Sequence, residues 1–417
     1  MGRGAPPFRR SPGSSEPSAA AGNAGAVRAG GWRFVDRAED FEELLAKLRE
    51  VDEFAIDTEF HREKSYFPHL ALLQIAWPEG IALVDPLAVD VGPLASIFAL
   101  DTLVVLHAAD QDLEVLERAC GVLPRRMFDT QISAGFLGFV SPSLVSLAEA
   151  LLGIRLHKDD QLADWMQRPL SGSQQSYAAG DVAYLLQMRR VLADRLDALG
   201  RTGWAAEECA VQLDKDRSTT VPEEAWWRLP HSRQLRGTAR AVAQEVAAWR
   251  ERRAQRLDVP VRFVLSDLAV TCVAQRPPAD RDALRRTRGV DSRHLSGSVP
   301  DELLAAVANG RSLPASALRA PTGPALERLN KPMIALASAY VGQRAADLEL
   351  DPAILATRAD LLAFFQDTPV GRLTSGWRHE LIGASLGRLA GGEAALAFDG
   401  LGELVLEERS RTRIDES

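Results

Sequence analysis

The sequence predicts a mixed α/β domain over residues 31–205, a sheet flanked by helices, followed by two all-helical bundles. Three observations carry this expectation. Apolar runs of strand length crowd residues 53–85, helical periodicity takes over after the strand ending at His107, and every segment after Ser232 reads as helix. The expected organisation is a disordered tail over 1–30, the α/β domain over 31–205 and a linker over 206–230. A helical domain over 231–312 comes next, then a second helical domain with a carboxyl-terminal tail over 313–417.

Taken in order, Trp32–Val35 reads as a short strand and Asp40–Glu50 as an amphipathic helix. Glu53–Phe60, Leu70–Trp77 and Gly80–Asp85 are apolar runs separated by His, Lys, Pro and Gly, which suggests three adjacent strands. Thr102–His107 is a fourth strand, followed at once by a helix through Glu117. Helices are then expected over Thr130–Leu137, Ser143–Leu152 and, as one long element, Ser173–Leu199. Residues 201–229 read as a linker helix and a loop carrying Pro222, Trp226 and Trp227. Beyond it, Gln234–Asp258 is a long helix, with shorter ones at Asp267–Gln275, Asp280–Arg286, Ser292–Leu295 and Asp301–Asn309. Pro314, Pro321 and Pro324 mark a second boundary, and helix is expected from Ala325 to about Arg409, broken at Gly391–Gly392.

Composition excludes several classes. No apolar run approaches the roughly 18 residues of a membrane span. Cys120, Cys209 and Cys272 lie far apart with no CxxC spacing, so neither a disulfide framework nor a zinc site is indicated, as suits a reducing cytoplasm. Residues 1–30 have the composition of a disordered tail, without the apolar stretch of a secretory signal; an Arg-rich, acid-poor organellar transit peptide is the alternative. The net charge of −8 divides unevenly along the chain. Arg33–Ala198 holds 27 acids against 15 bases, whereas His231–Ser312 holds 15 arginines against 9 acids. An acidic segment followed by a basic one suits a catalytic core beside a phosphate-binding module. Only five of the 49 basic residues are lysines, so the arginines also fit a general compositional habit.

Three strings carry chemistry. In Phe54-Ala-Ile-Asp57-Thr-Glu59-Phe60 the two acids stand at i and i+2 of a strand and project from one face, where they repel each other unless cations sit between them. An acidic solvent face is the alternative. In Val104-Val-Leu-His107-Ala-Ala-Asp110-Gln-Asp112 a strand gives way to a helix, with one aspartate suited to capping and one to a site. Asp110 suits the cap, but spacing alone does not rank the two. In Tyr177-Ala-Ala-Gly180-Asp181 a phenol and a carboxylate stand one helical turn apart. Gly180 lowers helix propensity, suggesting that backbone or substrate passes close by, while a surface tyrosine beside an ordinary helix charge is the bland reading. Together the strings assemble one site from distant segments. Oxygen donors without Cys or His favour Mg²⁺ or Mn²⁺, and two such ions would activate a water and stabilise the leaving oxygen of a phosphodiester. A tyrosine beside a ligand would orient or deprotonate that water.

The set Asp57-x-Glu59, His107-Ala-x-x-x-Asp112-Leu and Tyr177-x-x-x-Asp181 resembles the DEDD exonuclease superfamily, tyrosine subclass. More narrowly, Asp57-Thr-Glu-Phe, Asp129-Thr-Gln131, Asp164-Trp-Met-Gln-Arg168-Pro-Leu and Gln175-Ser-Tyr177-Ala-Ala-Gly-Asp181-Val resemble the ribonuclease D family over residues 32–200. The arginine-rich helical segment Ser232–Arg311 resembles the HRDC domain, and the last segment resembles the second helical domain of the same enzymes. The resemblance implies a ribonuclease H-like fold, two divalent ions (Mg²⁺ or Mn²⁺) and removal of 3′-terminal nucleotides as 5′-monophosphates. It implies that Asp57 bridges both ions, that Glu59 and Asp181 hold the ion activating water, that Asp112 helps hold the other, and that Tyr177 orients the water. It also implies that the strand bearing Gln74 faces the terminal nucleotides. The expected substrate is RNA with a single-stranded 3′ end, such as precursor tRNA, and the expected state is a cytoplasmic monomer without an organic cofactor.

Smaller candidates carry two readings each. His107 is a packed histidine or a substrate contact, Lys158 a phosphate contact or an ion-pair partner, and Arg168 a substrate contact or a loop anchor. Trp226 and Trp227 fit domain packing or base stacking. Arg281–Arg288 fits a phosphate surface or a solvated helix face. Two rival functions stand beside the RNA exonuclease: a single-strand DNA exonuclease with the same chemistry, and a non-catalytic RNA-binding scaffold.

Overall fold

A computed structural model describes residues 31–156, 163–319, 331–366 and 371–410. The amino-terminal tail and Lys158 lie outside the described residues. Six strands form one sheet: β1 (Arg33–Val35), β2 (Glu53–His61), β3 (His69–Trp77), β4 (Gly80–Val84), β5 (Leu103–Leu106) and β6 (Arg126–Asp129). Their spatial order is β1-β4-β3-β2-β5-β6. The central β2-β3-β4 meander expected from the three apolar runs is antiparallel, and β5 and β6 add to it in parallel.

The principal helices of the first unit are α1 (Ala38–Leu48), α2 (Asp110–Cys120), α3 (Thr130–Gly135), α4 (Leu144–Leu152), α5 (Gly172–Ala183), α6 (Leu185–Ala198) and α7 (Thr202–Leu213). Alternation along β2 sends Phe54 and Ile56 into a core shared with Phe41, Leu44, Leu45 and Leu48 of α1 and Leu113 and Leu116 of α2. Each such fully buried side chain contributes about 1.5–3 kcal/mol. The opposite face of the meander is covered by α5, whose Ala178 and Ala179 pack on Leu72 and Leu83. That is the face on which Asp57 and Glu59 stand.

Two elements of the first unit differ from expectation. The expected helix over Ser173–Leu199 is two helices, α5 and α6, separated by Tyr184, which leaves helical backbone at φ −116°, ψ 0°. Strand β6 was not expected, because Arg126-Met-Phe-Asp129 is only four residues with a charge at each end; parallel pairing with β5 makes it a strand.

After the linker, α8 (Thr238–Leu257), α9 (Asp267–Gln275) and α10 (Val299–Ser312) enclose a second core of Val242, Val246, Val270, Val273, Leu303 and Val307. Trp226 is fully buried in that core, and the partly buried Trp227 packs against it and donates to the Arg319 carbonyl at 3.2 Å, so both tryptophans serve packing. A third core gathers α11 (Lys331–Asp347), α12 (Arg358–Phe364) and α13 (Ala384–Ala390) against Phe136, Leu196 and Ala205 of the first unit. There Trp204 stacks on Trp377 at 5.4 Å, and Glu208 of α7 accepts from Arg372 at 2.5 Å and from Arg378. The helix expected to reach Arg409 stops at Ala390. Residues beyond it form an antiparallel hairpin, β7 (Ala394–Phe398) with β8 (Leu404–Glu408), whose turn is closed by three backbone N–H groups donating to Asp399.

Among the described residues no helix is long and apolar enough to cross a membrane.

Candidate active site

Strand β2 places the first two carboxylates. β5 pairs only with Glu53, Phe54 and Ala55, so β2 runs on past it, and Asp57 and Glu59 lie where helix α2 rather than a strand comes alongside. A register shift between Glu59 and Phe60 interrupts the pairing with β3 just after the second acid; pairing resumes at Phe60–Leu70. Bulges of this kind re-aim side chains next to sites.

The β5–α2 junction places the third. Ala108 is held at φ +56°, a left-handed conformation unfavourable for any residue with a Cβ. Asp129 stabilises it: its two oxygens accept from the backbone N–H groups of Ala108 and Ala109 across the junction and of Gln131 and Ile132 at the start of α3. Helix α2 can therefore begin directly beside β2. Asp112 faces inward and is buried, with Oδ1 accepting from the Thr58 hydroxyl at 2.5 Å and the Thr58 N–H at 3.2 Å. Asp110 is not the helix cap; it is exposed and pairs with Lys215 at 2.6 Å and Gln212 at 2.9 Å.

Helix α5 brings the fourth acid and the phenol. Its start is fixed by a reciprocal cap in which Ser171 accepts from the Gln174 N–H and Gln174 from the Ser171 N–H. Two turns on, Asp181 points at the sheet. The Tyr177 ring is 6.0 Å from that of the buried Trp165. A Cβ on Gly180 would meet no atom within 4 Å, so close protein packing does not explain that glycine.

Asp57, Glu59 and Asp181 each offer an oxygen, and these oxygens lie within 4.8 Å of one another. The three are only partly buried, so a ligand can reach them, yet enough protein surrounds them for desolvation to dominate their proton affinity. Burial first, then repulsion from neighbouring carboxylates, lifts Glu59 to about 8. Burial, with repulsion from Asp112, lifts Asp181 to about 7, and burial lifts Asp112 to about 6. Asp57 is held well above the usual carboxylate range by burial and by the charges of Asp112, Asp181 and Glu59. Burial and the same negative field raise Tyr177, so its phenol keeps its proton. Such a cluster is adapted to cations: oxygen-only donors, crowded and partly desolvated, ionise together only when positive charge is placed among them.

This has a measurable consequence. Between about pH 4.5 and 8 the metal-free folded protein holds protons that the unfolded chain has released, so stability present at low pH is lost as pH rises through the folded-state values. The urea midpoint of EDTA-treated protein should fall between about pH 5 and 8, and Mg²⁺ should restore it, most strongly at pH 8. A midpoint indifferent to both pH and Mg²⁺ contradicts the assignment.

The other candidates fall out differently. Gln74 pairs directly across from Asp57, fully buried, and its side-chain amide has no hydrogen-bond partner. His107 is largely buried; it shares a 2.9 Å hydrogen bond with the Thr130 hydroxyl and interacts with the Pro142 carbonyl, and desolvation lowers its proton affinity. Arg168 is a loop anchor rather than a substrate contact. Its guanidinium donates to Asp85 twice, to the Ala71 and Trp165 carbonyls and to its own neighbour Gln167, which uses all five N–H groups. Thr58 and Asp129 support the site without having been assigned that role from the sequence; Thr58 lies between two candidate ligands, and Asp129 directly precedes the expected helix at Thr130.

Residues 32–197 match the 3′-5′ exonuclease family and residues 239–307 the HRDC domain. The ribonuclease D of Acidiphilium cryptum is 36% identical over 376 residues, covering 88% of this chain and 95% of that relative. The ribonuclease D of Escherichia coli is 32% identical over 376 residues, covering 86% and 98%. The crystal structure of Escherichia coli RNase D, described as an exoribonuclease involved in structured RNA processing, superposes with a TM-score of 0.77 at 31% identity over 87% of this chain and 99% of that one. The catalytic core of RRP6 from Trypanosoma brucei gives 0.58 at 26% identity over 68% and 81%.

Proposed function

The chain belongs to the ribonuclease D family and is a 3′-5′ exoribonuclease, and on that premise we propose that it trims RNA 3′ ends with two divalent cations held by Asp57, Glu59, Asp112 and Asp181. The observation that carries the reading is the cluster of Asp57, Glu59 and Asp181, with oxygens within 4.8 Å of one another and a neighbouring fourth carboxylate on α2. When bound, Mg²⁺ or Mn²⁺ supplies activation of a water and stabilisation of the charge that develops on the phosphodiester.

The residues do the remaining work. Asp57, whose carboxyl feels the charges of Asp112, Asp181 and Glu59, would serve as the ligand common to both ions. Glu59 and Asp181 would hold the ion that activates water, with Asp112 helping to hold the other. Thr58 fixes one oxygen of Asp112, which keeps that carboxylate turned to the site without a conformational search. Tyr177, one helical turn from Asp181, orients the attacking water. Products are nucleoside 5′-monophosphates. Gln74, with an unpartnered amide across the strand pair from Asp57, contributes to the same pocket, and His107 is a candidate substrate contact. Lys158, in the segment before α5, is a candidate phosphate contact.

The division proposed is an exonuclease unit over 31–205, a linker over 206–230, an HRDC unit over 231–312 with a core of its own, and a final unit over 313–417 whose core is shared with Phe136, Leu196 and Ala205 of the first. The substrate is RNA with a single-stranded 3′ end, precursor tRNA among the classes that qualify, acted on by a monomer in the cytoplasm. Matched RNA and DNA oligonucleotides of one sequence, each with a 3′ tail, test the substrate. Chromatography should recover nucleoside 5′-monophosphates from the RNA at a rate well above the DNA. Equal rates, or 3′-monophosphate products, would overturn the reading.

A further inference from the structure

The loop that closes the β2–β3 hairpin, residues 62–68, is gripped from two sides. From the HRDC unit, Asp258 follows α8 with a left-handed backbone, φ 49° and ψ 50°. Its Oδ1 accepts from the Tyr66 N–H at 3.1 Å and the Phe67 N–H at 3.0 Å, and its Oδ2 lies 2.6 Å from His69 Nε2 at the first residue of β3. Three residues earlier Gln255 donates to the Tyr66 hydroxyl at 3.0 Å, which itself donates to the buried Glu251 at 2.5 Å. Arg262 adds a bond to the Glu63 carbonyl at 3.0 Å. From the exonuclease side, Arg62 forks onto Glu114 of α2 at 2.8 and 3.1 Å, and the Arg118 guanidinium lies 3.5 Å from the Phe67 ring centre.

These contacts form a short mechanical chain. Arg62 is three residues past Glu59, and Glu114 is two past Asp112. Without an anchor, an exposed seven-residue loop is free to sample many conformations and transmits nothing. A carboxylate accepting several N–H donors is a strong, directional anchor. We propose that Asp258 is a positioning residue for the reaction: docked against the hairpin loop, the HRDC unit fixes the β2 strand that carries Glu59 relative to the α2 helix that carries Asp112. The HRDC unit thus acts on the site through protein contacts, independently of any grip on RNA. The inference rests on the reading of the carboxylate cluster as the exonuclease centre.

The test uses the full chain. Asp258→Gly keeps the left-handed backbone, which glycine adopts without strain, and removes only the carboxylate. Asp258→Asn keeps an oxygen that can accept the two loop N–H groups. Rates are measured on a trinucleotide and on a long 3′-tailed RNA, with the Mn²⁺ concentration for half-maximal rate and the melting midpoint recorded alongside. Displacements of about 1 Å in a reacting constellation and loss of outer-shell support each lower rates by tenfold or more. Asp258→Gly should therefore lower kcat about tenfold on both substrates with KM little changed and raise the Mn²⁺ requirement, and Asp258→Asn should recover most of the loss. If the glycine variant does not fold, Tyr66→Phe, which breaks the bonds to Glu251 and Gln255, should show the same pattern more weakly. Wild-type kcat on the trinucleotide, a loss confined to KM for the long RNA, or a lowered melting midpoint with kcat unchanged would each overturn the proposal. A wild-type enzyme inactive on both RNAs would instead remove the exonuclease reading beneath it.

Discussion

Asp57→Asn should abolish RNA hydrolysis while leaving the metal-free protein at least as stable as the wild type. The two halves of this result have one cause. Asp57 is held well above the usual carboxylate range by burial and by the charges of Asp112, Asp181 and Glu59 together. In metal-free protein at neutral pH its charge, or the proton that replaces it, is a burden on folding. An isosteric amide removes the burden and keeps the volume. In the proposed two-ion mechanism the same carboxylate would be the shared ligand, and loss of cation-borne charge stabilisation amounts to several kcal/mol, about 4 kcal/mol or a thousandfold in kcat at least. Melting curves with EDTA should place the variant at or above the wild type, and Mg²⁺ should no longer raise its midpoint. A variant that is inactive because it has unfolded, or one that retains activity, contradicts the assignment.

Tyr177→Phe should lower kcat by about a hundredfold, the lower range for a positioned proton-transferring or water-orienting side chain. The substitution keeps the ring packed against Trp165 and removes only the hydroxyl. KM and the Mg²⁺ requirement should hold, because no ligand is lost. In the metal-free protein the phenol is pushed up by burial and by Asp181, Glu59 and Asp57, and the proposed role is to orient water without ionising. No activity limb belonging to a tyrosinate should then appear at alkaline pH in the wild type that is missing from the variant. Such a limb would make Tyr177 the base.

How much of this was legible depended on whether the signal was local. Asp57 and Glu59 share a face because strand alternation requires it, and the three apolar runs around them became adjacent strands. Tyr177 and Asp181 share a helix face for the same kind of reason. The choice between Asp110 and Asp112 was not local: it turns on Thr58, 54 residues away, and on Lys215, which draws Asp110 outward. The β6 strand was invisible because four residues with charged ends carry no period; only β5 makes them a strand. The β7–β8 hairpin did have a signal, Asp399-Gly400 between two apolar runs, but the Ala, Leu and Glu around it favour helix and masked it. Arg168 illustrates the opposite limit. An arginine before a proline in a motif invites a substrate role, and only Asp85, 83 residues distant, shows the guanidinium to be fully engaged. The grip of Asp258 on Tyr66 and Phe67 spans about 190 residues and leaves no pattern at either end.

The most direct measurement follows a 5′-labelled, 3′-extended RNA through incubation with wild-type protein and with Asp181→Ala, in Mg²⁺ or Mn²⁺ and in EDTA. The account predicts a ladder that shortens from the 3′ end with wild type and metal, and an intact band with EDTA or with the variant. A ladder that persists in EDTA or in Asp181→Ala would contradict a metal-dependent exonuclease built on these four carboxylates.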